Sequence, residues 1–320
     1  MFVLQPISPD TRARLTAQGL DPDAVAAIVR MAVCEDLMGG IDVTSAATIP
    51  AEQRSVATFG SRGSGVVAGL AVAAAAVEAV CGDAASEFEF LVDDGTRVEP
   101  GDRVARVSGP TRGLLTAERT ALNLLCHLSG VASQTRRWAD QLAGTGAVVR
   151  DTRKTTPGLR ALEKYAVRCG GGANHRFGLS DMALVKDNHV AAAGGVAEAY
   201  ALVHSLESSL VVEIEVDSLA GLAQAIAAGA DVVLIDNFDI GQMREAVRYR
   251  NEHAPHVQLE ASGGLTLAVA HEVGTTGVDW IAVGELTHSA RVLDLGLDLV
   301  GTVSSTNGST DGSTVGSVET

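Results

Sequence analysis

The pattern of apolar and polar positions changes character once along this chain. Up to about residue 115 it shifts repeatedly. Residues 23–37 carry apolar side chains at helical spacing, whereas 56–59 and 88–92 are short strand-like runs set off by the turn dipeptides Asp94-Gly95 and Pro100-Gly101. That mixture predicts a small α+β domain. A helix is then expected from near Thr116, whose hydroxyl can cap it, along the stripe Ala121, Leu125, Leu128 and Ala132.

From residue 148 onward the pattern is regular. Apolar runs rich in β-formers occur at 148–149, 183–185, 211–216, 232–235, 257–259 and 280–283, each ending in a polar residue or glycine and followed by a helical stretch. The stretch after Ser218 illustrates the unit: Leu219, Leu222 and Ile226 share a face, and Gly229 provides the stop. Six strands alternating with helices imply parallel pairing through βα units. Their carboxyl ends carry, in order, Arg153 and Lys154, Lys186, Glu215 and Asp217, Asp236 and Asn237, Ser262-Gly263-Gly264, and Gly284. A closed or nearly closed α/β barrel gathers such ends around one mouth, whereas an open doubly wound sheet spreads them along a line. The barrel is the expected fold. The Ser, Thr and Gly-rich end of the chain, with almost no apolar content, is expected to be a disordered tail.

Composition narrows the function classes. At 320 residues and 46% hydrophobic content the chain can build one large domain or two ordinary ones. With 39 Asp+Glu against 24 Lys+Arg, a net charge of −15 and a pI near 4.9, it lacks the broad basic face of a nucleic-acid or anionic-membrane binder. No run approaches the roughly 18 apolar residues of a membrane span, and the first residues lack the basic and apolar regions of a signal peptide. A cytoplasmic location is expected. Cys34, Cys81, Cys126 and Cys169 lie far apart with no Cys-x-x-Cys, which suggests buried free thiols rather than a zinc knuckle or a disulfide framework.

Against that acidic background residues 150–186 form a basic island. They hold eight cations (Arg150, Arg153, Lys154, Arg160, Lys164, Arg168, Arg176, Lys186) and three acids (Asp151, Glu163, Asp181), about threefold the chain's average density of Lys+Arg. Such a crowd of like charge is unfavourable unless an anion pairs with it, so the island implies a site for a small, highly charged ligand. The planar forks of Arg153 and Arg176, the point charge of Lys186 and the adjacent His175 could together neutralise about two to three negative charges. Ser262-Gly263-Gly264, leading into a helix expected near Thr266, together with Gly284 on the next strand, suits a phosphate cup. Glu215 and Asp236 either balance charge, or stabilise a cationic centre or hold a divalent metal through ribose or pyrophosphate oxygens. Arg119, placed by this reading in the first turn of its helix, opposes the helix dipole and calls for a partner elsewhere.

Six stretches carry a family resemblance: AERTALNLLCHLSG at 117–130, DTRKTTPGLRALEKYAVRCGGGANHRFGLSDMALVKDNHV at 151–190, EIEVDS at 213–218, LIDNF at 234–238, ASGGL at 261–265 and VGELTHS at 283–289. Weaker matches are EDLMGGIDVTS at 35–45 and GVVAG at 65–69. The sequence closely resembles the quinolinate phosphoribosyltransferases, also called nicotinate-nucleotide pyrophosphorylases (carboxylating). The resemblance implies a small α+β open-sandwich domain over 1–117 and an incomplete six-stranded α/β barrel over 118–302, whose last helix can pack back on the first domain, followed by the tail at 303–320. It implies Mg²⁺-dependent transfer of phosphoribose from phosphoribosyl pyrophosphate to quinolinate, giving nicotinate mononucleotide, pyrophosphate and CO₂ in NAD biosynthesis. By the same resemblance Arg153, His175, Arg176 and Lys186 hold the quinolinate carboxylates. Lys154, Glu215, Asp236, Ser262, Gly263 and Gly264 meet phosphoribosyl pyrophosphate, with Gly284 near its 5′-phosphate, and Thr152, Val283 and Glu285 are further substrate contacts. Lys154, Glu215 and Asp236 are the implied catalytic residues, and Glu215 and Asp236 the implied magnesium ligands. The implied assembly is a homodimer or a multiple of it, in which Arg119 reaches the neighbouring active site.

Two departures stand out. Glu285 replaces the alanine of the family's usual G-A-L-T-H-S and puts a carboxylate near the expected phosphate cup; Ser129-Gly130-Val131-Ala132-Ser133 replaces S-G-I-A-T and is mild. Two rival readings remain at this level. One is a phosphoribosyltransferase for a different pyridine acid, or a paralogue of the fold associated with molybdate uptake, which release of CO₂ separates. The other is a non-catalytic phosphate-binding or scaffold protein, which the full set of charged strand ends argues against.

Overall fold

The computed structural model of the chain describes residues 4–82 and 86–303. The expectation of a disordered tail therefore lies outside the described residues, apart from Val303, whose backbone ends a strand.

The N-terminal part opens with α1 (Pro9–Ala17) and α2 (Pro22–Leu37), each with proline in its first turn and a side-chain cap, Ser8 and Asp21. Asp42 caps the short α3 (Val43–Thr48). There follow β1 (Arg54–Ser61), β2 (Gly65–Val66), α4 (Leu70–Cys81), β3 (Glu87–Phe90), β4 (Arg97–Val98) and β5 (Arg103–Pro110). Helix α4 is apolar around its whole circumference and buried from Leu70 to Val80, which suits a helix enclosed by others. Its one acid, Glu78, accepts from Ser8 N at 2.8 Å, Ser8 Oγ at 3.0 Å and Thr11 Oγ1 at 2.7 Å, and so ties α1 down.

The chain then enters α5 (Thr111–Gln141) directly from Pro110, five residues before the expected start at Thr116. Proline is pre-set for this turn, and Thr116 is already internal: its hydroxyl donates to Arg112 O one turn back, at 2.9 Å. Arg119 accordingly lies in the third turn, where the dipole penalty has faded. The helix dipole therefore gives Arg119 no need of a partner.

The second part contains β6 (Val148–Arg150), α6 (Arg160–Cys169), β7 (Ala183–Val185), α7 (Asp187–Ala193), α8 (Val196–Leu206), β8 (Val212–Val216), α9 (Leu219–Ala228), β9 (Val232–Asp236), α10 (Ile240–His253), β10 (Gln258–Ser262), α11 (Ala270–Gly274), β11 (Trp280–Ala282) and α12 (Glu285–His288). The six strands form one parallel sheet in the order β6-β11-β10-β9-β8-β7. Its edges, β6 and β7, are consecutive in sequence, so the barrel is incomplete. Backbone after α6 enters the gap: Ala173 N donates to Val149 O at 2.9 Å and Asp151 N to Ala173 O at 3.2 Å. Each apolar run read from the sequence is a strand, Gly229 ends α9 as expected, and the Ser218 side chain caps its start. The fold is thus an incomplete α/β barrel with a smaller sheet domain before it.

The last described element is a strand, β12 (Leu295–Val303), where a helix was expected to pack back. Leu295, Leu297 and Leu299 alternate with smaller or polar residues, a strand period, and β12 pairs antiparallel with β1, which would otherwise be an open edge. The N-terminal sheet is completed in the order β12-β1-β5-β3. Gly130 in α5 lets the approach to β12 pass, since a Cβ there would lie 2.3 Å from Arg291 O. Asp94 joins the two parts: it accepts from Gly69 N at 3.0 Å and Leu70 N at 3.2 Å at the start of α4, and from Tyr165 Oη of α6 at 2.5 Å. The four cysteines are free as expected, but Cys34 is exposed and the others only half-buried. Burial pushes the Cys169 thiol up to about 11, which leaves it an inert neighbour of Tyr165. No helix among the described residues is long and apolar enough to cross a membrane.

Candidate active site

The basic island divides in two. Four of its cations are satisfied inside the protein. Lys164, fully buried on α6, pairs with Asp151 and donates to His175 O at 3.1 Å. Arg150 pairs with Glu260 on β10, Arg168 donates to Asn174 Oδ1 at 2.8 Å and Gln18 O at 2.8 Å, and Arg160 donates to Thr155 Oγ1 at 3.0 Å and Phe177 O at 3.1 Å. The inference that the whole island serves a ligand is therefore too broad; half of it is scaffold. That scaffold fixes the loop after β6, where Thr156 N donates to buried Glu163 at 3.0 Å and Glu163 in turn holds His127 at 2.8 Å. Asp151 accepts from Asn174 Nδ2 at 2.5 Å and His175 N at 2.9 Å, which joins that loop to the one carrying Arg176.

The other four cations, Arg153, Lys154, Arg176 and Lys186, sit at the ends of β6 and β7 or in the loops beside them. Arg153 and Arg176 are half-buried and lie within each other's field. Burial first, and then the Arg153 charge, lowers the proton affinity of Arg176. Arg153 Nε is buried without a hydrogen-bond partner among the described residues. Lys186, ending β7, forms an ion pair with Glu215, ending the neighbouring β8. On β9, Asp236 accepts from Asn237 Nδ2 at 2.7 Å.

The phosphate side converges as well. In register Ser262 is level with Asp236, and Asn237, in the left-handed region at φ 59°, donates its N–H to Ser262 O at 3.0 Å. Gly263 is obligatory there, since a Cβ would lie 2.2 Å from Asn237 Oδ1. Gly264 also has positive φ and is exposed. The helix expected near Thr266 starts as a 3-10 turn, Leu267–Val269, ahead of the five-residue α11, so less of a helix N-terminus stands there than expected. Gly284 lies against the Lys154 stem: a Cβ would be 2.9 Å from Lys154 Cδ. Thr287 Oγ1 donates to Lys154 O at 2.9 Å, and Thr152 Oγ1 accepts from Lys154 N at 3.0 Å.

Four other expected site residues lie in different surroundings. Glu285 turns away from the cup: its Oε1 accepts from Gln134 Nε2 at 3.0 Å and from the indole N–H of buried Trp138 at 3.1 Å. The side chain of Val283 is buried and its N–H is committed to Arg150 O at 2.9 Å. His175 is 8% exposed and both ring nitrogens are engaged, Nδ1 accepting from Arg176 N at 2.7 Å and Nε2 facing Glu213 Oε2 at 2.7 Å. It faces the barrel interior. Arg119 is exposed and lines a cleft of about 450 Å³ with Arg62, Asn123, Cys126 and Asp294, apart from the strand-end residues.

The residues that sequence reasoning missed lie one level below the mouth. Glu213 and Glu260 are completely buried, joined by His175 and Arg150. Burial, then the neighbouring Glu213 carboxylate, pushes Glu260 up to about 7. The signal was present in the strand period: Glu213 stands two before Glu215, Glu260 two before Ser262 and Arg150 two before Thr152, so each shares a face with a residue already singled out.

Two outcomes are expected. Glu285→Ala orphans the Trp138 N–H and should lower unfolding free energy by about 1–3 kcal/mol in chemical denaturation, whereas Glu285→Gln keeps the acceptor and should stay near wild type. Glu260 has a raised folded-state pKa, so the unfolded chain ionises first and the stability it contributes is lost as pH rises from about 4.5 to about 7. Glu260→Gln does not titrate; its stability relative to wild type should therefore improve between pH 5 and pH 8, on the order of a few kcal/mol, with no further change above that window.

Comparison with known proteins places the chain in a family. Residues 42–129 match the family described as quinolinate phosphoribosyl transferase, N-terminal domain, and residues 131–298 match quinolinate phosphoribosyl transferase, C-terminal domain. A nicotinate-nucleotide pyrophosphorylase [carboxylating] of Mycobacterium leprae (strain TN) is 50% identical over 277 residues, 87% of this chain and 98% of that protein. A probable nicotinate-nucleotide pyrophosphorylase [carboxylating] of Bacillus subtilis (strain 168) is 40% identical, over 83% of this chain and 90% of its own length. The solved nicotinate-nucleotide pyrophosphorylase from Francisella tularensis superposes with a TM-score of 0.82 at 38% identity, covering 87% of this chain and 96% of that one. The chain belongs to the quinolinate phosphoribosyltransferase family.

Proposed function

We propose that this protein transfers phosphoribose from phosphoribosyl pyrophosphate to quinolinate and releases CO₂, giving nicotinate mononucleotide and pyrophosphate in NAD biosynthesis. One observation carries the reading at the level of residues: Arg153 and Arg176 are held half-buried within each other's field, with a buried guanidinium nitrogen that has no partner among the described residues. Like charges so placed are relieved by an anion of at least two charges, and a vicinal dicarboxylate supplies both. Its ring nitrogen then faces the ribose carbon bearing pyrophosphate, and orientation replaces collision.

As the bond to pyrophosphate breaks, the ribose gains oxocarbenium character. The carboxylates of Glu215 and Asp236 stabilise that charge from adjacent strands. Lys154, whose stem lies against Gly284, serves the phosphate side with the backbone around Gly263 and Gly264. Two carboxylate ends form a sparse, hard-oxygen donor set, which fits Mg²⁺ held mainly through substrate oxygens; bound there, the ion would neutralise the departing pyrophosphate. After the ring nitrogen is alkylated it is positive. The C–C bond to the neighbouring carboxylate breaks as CO₂ leaves, its electron pair stays on the ring carbon beside that charge, and the carbon takes up a proton. Arg119 lies outside the mouth of its own subunit, which accords with a homodimer in which it completes the partner's site, in the cytoplasm.

The direct test is an assay for CO₂ and nicotinate mononucleotide from quinolinate and phosphoribosyl pyrophosphate; a rate at background removes the reading. Arg153→Ala should weaken quinolinate binding by about a hundredfold or more in calorimetry, and unchanged affinity would remove that role. For Arg119, mixing inactive Arg119→Ala and Lys154→Ala subunits should restore part of the activity in hybrid dimers. Verified hybrids without activity would count against a shared site.

A further inference from the structure

Arg150, Glu213 and Glu260 come from β6, β8 and β10, alternate strands of the sheet, and the register puts them at one height. Glu213 is level with Val232, and Val232 with Gln258, so Glu260 stands two residues further along. Glu260 is level with Trp280, and Trp280 with Val148, so Arg150 again stands two further along. A step of one residue per strand is the stagger of tilted barrel strands, which brings side chains of alternate strands into a common layer. Branched apolar side chains usually fill such a layer. Here it holds a guanidinium and two carboxylates, both carboxylates at 0% exposure.

Stability does not explain this choice. Removing these charges from water is costly, and well-packed apolar residues of similar volume are commonly as stable or more so. The layer touches the mouth through one residue. His175 places Nε2 at 2.7 Å from Glu213 Oε2 and 3.5 Å from Glu260 Oε1, while its Nδ1 accepts the N–H of Arg176 at 2.7 Å. Because Nδ1 accepts, the ring proton sits on Nε2 and points at the carboxylates. Rotating the ring would strand the Arg176 N–H and the buried carboxylates together.

We propose that Glu213 and Glu260, the latter seated by Arg150, are positioning residues that clamp His175 and, through its Nδ1, the backbone at Arg176, so that the Arg176 guanidinium is aimed into the carboxylate pocket. His175 then acts as a strut between the barrel interior and the pocket. The ligand atoms of His175, Glu213 and Glu260 lie within 4.8 Å of one another, a spacing open to a metal ion. Arg150 already supplies the positive charge at Glu260, and a divalent cation would be forced against it. The inference rests on the proposed function only in naming what Arg176 grips.

The test compares Glu213→Leu, Glu213→Gln and the pair Arg150→Met with Glu260→Leu in the full-length enzyme, by thermal midpoint, by KM for each substrate and by kcat. The double variant should melt at or above the wild-type temperature. In it and in Glu213→Leu, KM for quinolinate should rise roughly ten- to a hundredfold while KM for phosphoribosyl pyrophosphate holds, and Glu213→Gln, which keeps an acceptor for Nε2–H, should recover most of the loss. An unchanged quinolinate KM, or both KM values rising together with a fall in melting temperature, overturns the proposal. So does stoichiometric metal in protein purified without added metal that disappears in Glu213→Leu. Imidazole NMR of His175 needs no turnover: wild type should show the neutral Nε2–H form, and the same spectrum in Glu213→Leu would overturn the clamp. Should wild type fail to turn over quinolinate at all, the proposed function falls while the NMR comparison still decides this point.

Discussion

Everything at the mouth depends on holding Arg153 and Arg176 together against their mutual repulsion. Free side chains would swing apart into solvent, where the penalty nearly vanishes. Here the backbone on both sides is fixed. Asp151 takes the amide of His175 and the side chain of Asn174, Lys164 bonds Asp151 and the His175 carbonyl, and Glu163 holds the amide of Thr156. The loops can therefore present charge to charge without relaxing. This pre-organisation means that an arriving dianion need not collect its partners.

The rest of the basic island serves that purpose. Arg150 and Lys164 are as cationic as Arg153 and Arg176, yet they neutralise Glu260 and Asp151 inside the barrel, whereas at the mouth Lys186 pairs with Glu215 and Arg153 and Arg176 lie in each other's field. Ion pairs on the surface are weak, but breaking a buried one leaves an unmatched charge out of water, so these braces are stiff in a way that exposed bridges are not. The exposed Arg97–Asp140 bridge, by contrast, is open to solvent on both sides and contributes little.

Much of the fold was legible because the second half of the chain repeats one unit. Each apolar run from residue 148 became a strand, and Ser218 and Gly229 capped their helix through local chemistry that tertiary structure had no reason to override. Boundaries set by long-range contact were harder to read. Thr116 looked like a cap but sits inside α5, because Pro110 had already turned the chain, and the period-two leucines of β12 lacked a visible partner until β1 was laid beside them. Within the site, Arg153, Lys186 and Glu215 could be singled out because strand ends in a barrel converge, and Arg176 because it lies in the basic island. The orientations of Glu285 and His175 could not: one depends on Trp138, 147 residues away, and the other on Glu213, 38 residues away.

Glu285 also shows why a departure from a family pattern must be weighed by where its side chain goes. A carboxylate at the rim of a phosphate cup would raise the cost of bringing in a second anion. Yet Glu285 opens α12, and its side chain is drawn toward α5 by two donors, one of them an indole N–H with no exposed surface around it. An alanine at this position would leave that indole without its acceptor, so the substitution and the buried tryptophan account for each other. The negative charge is kept on the α5 side of the helix, and the cup retains the backbone groups and Lys154 that suit it to phosphate.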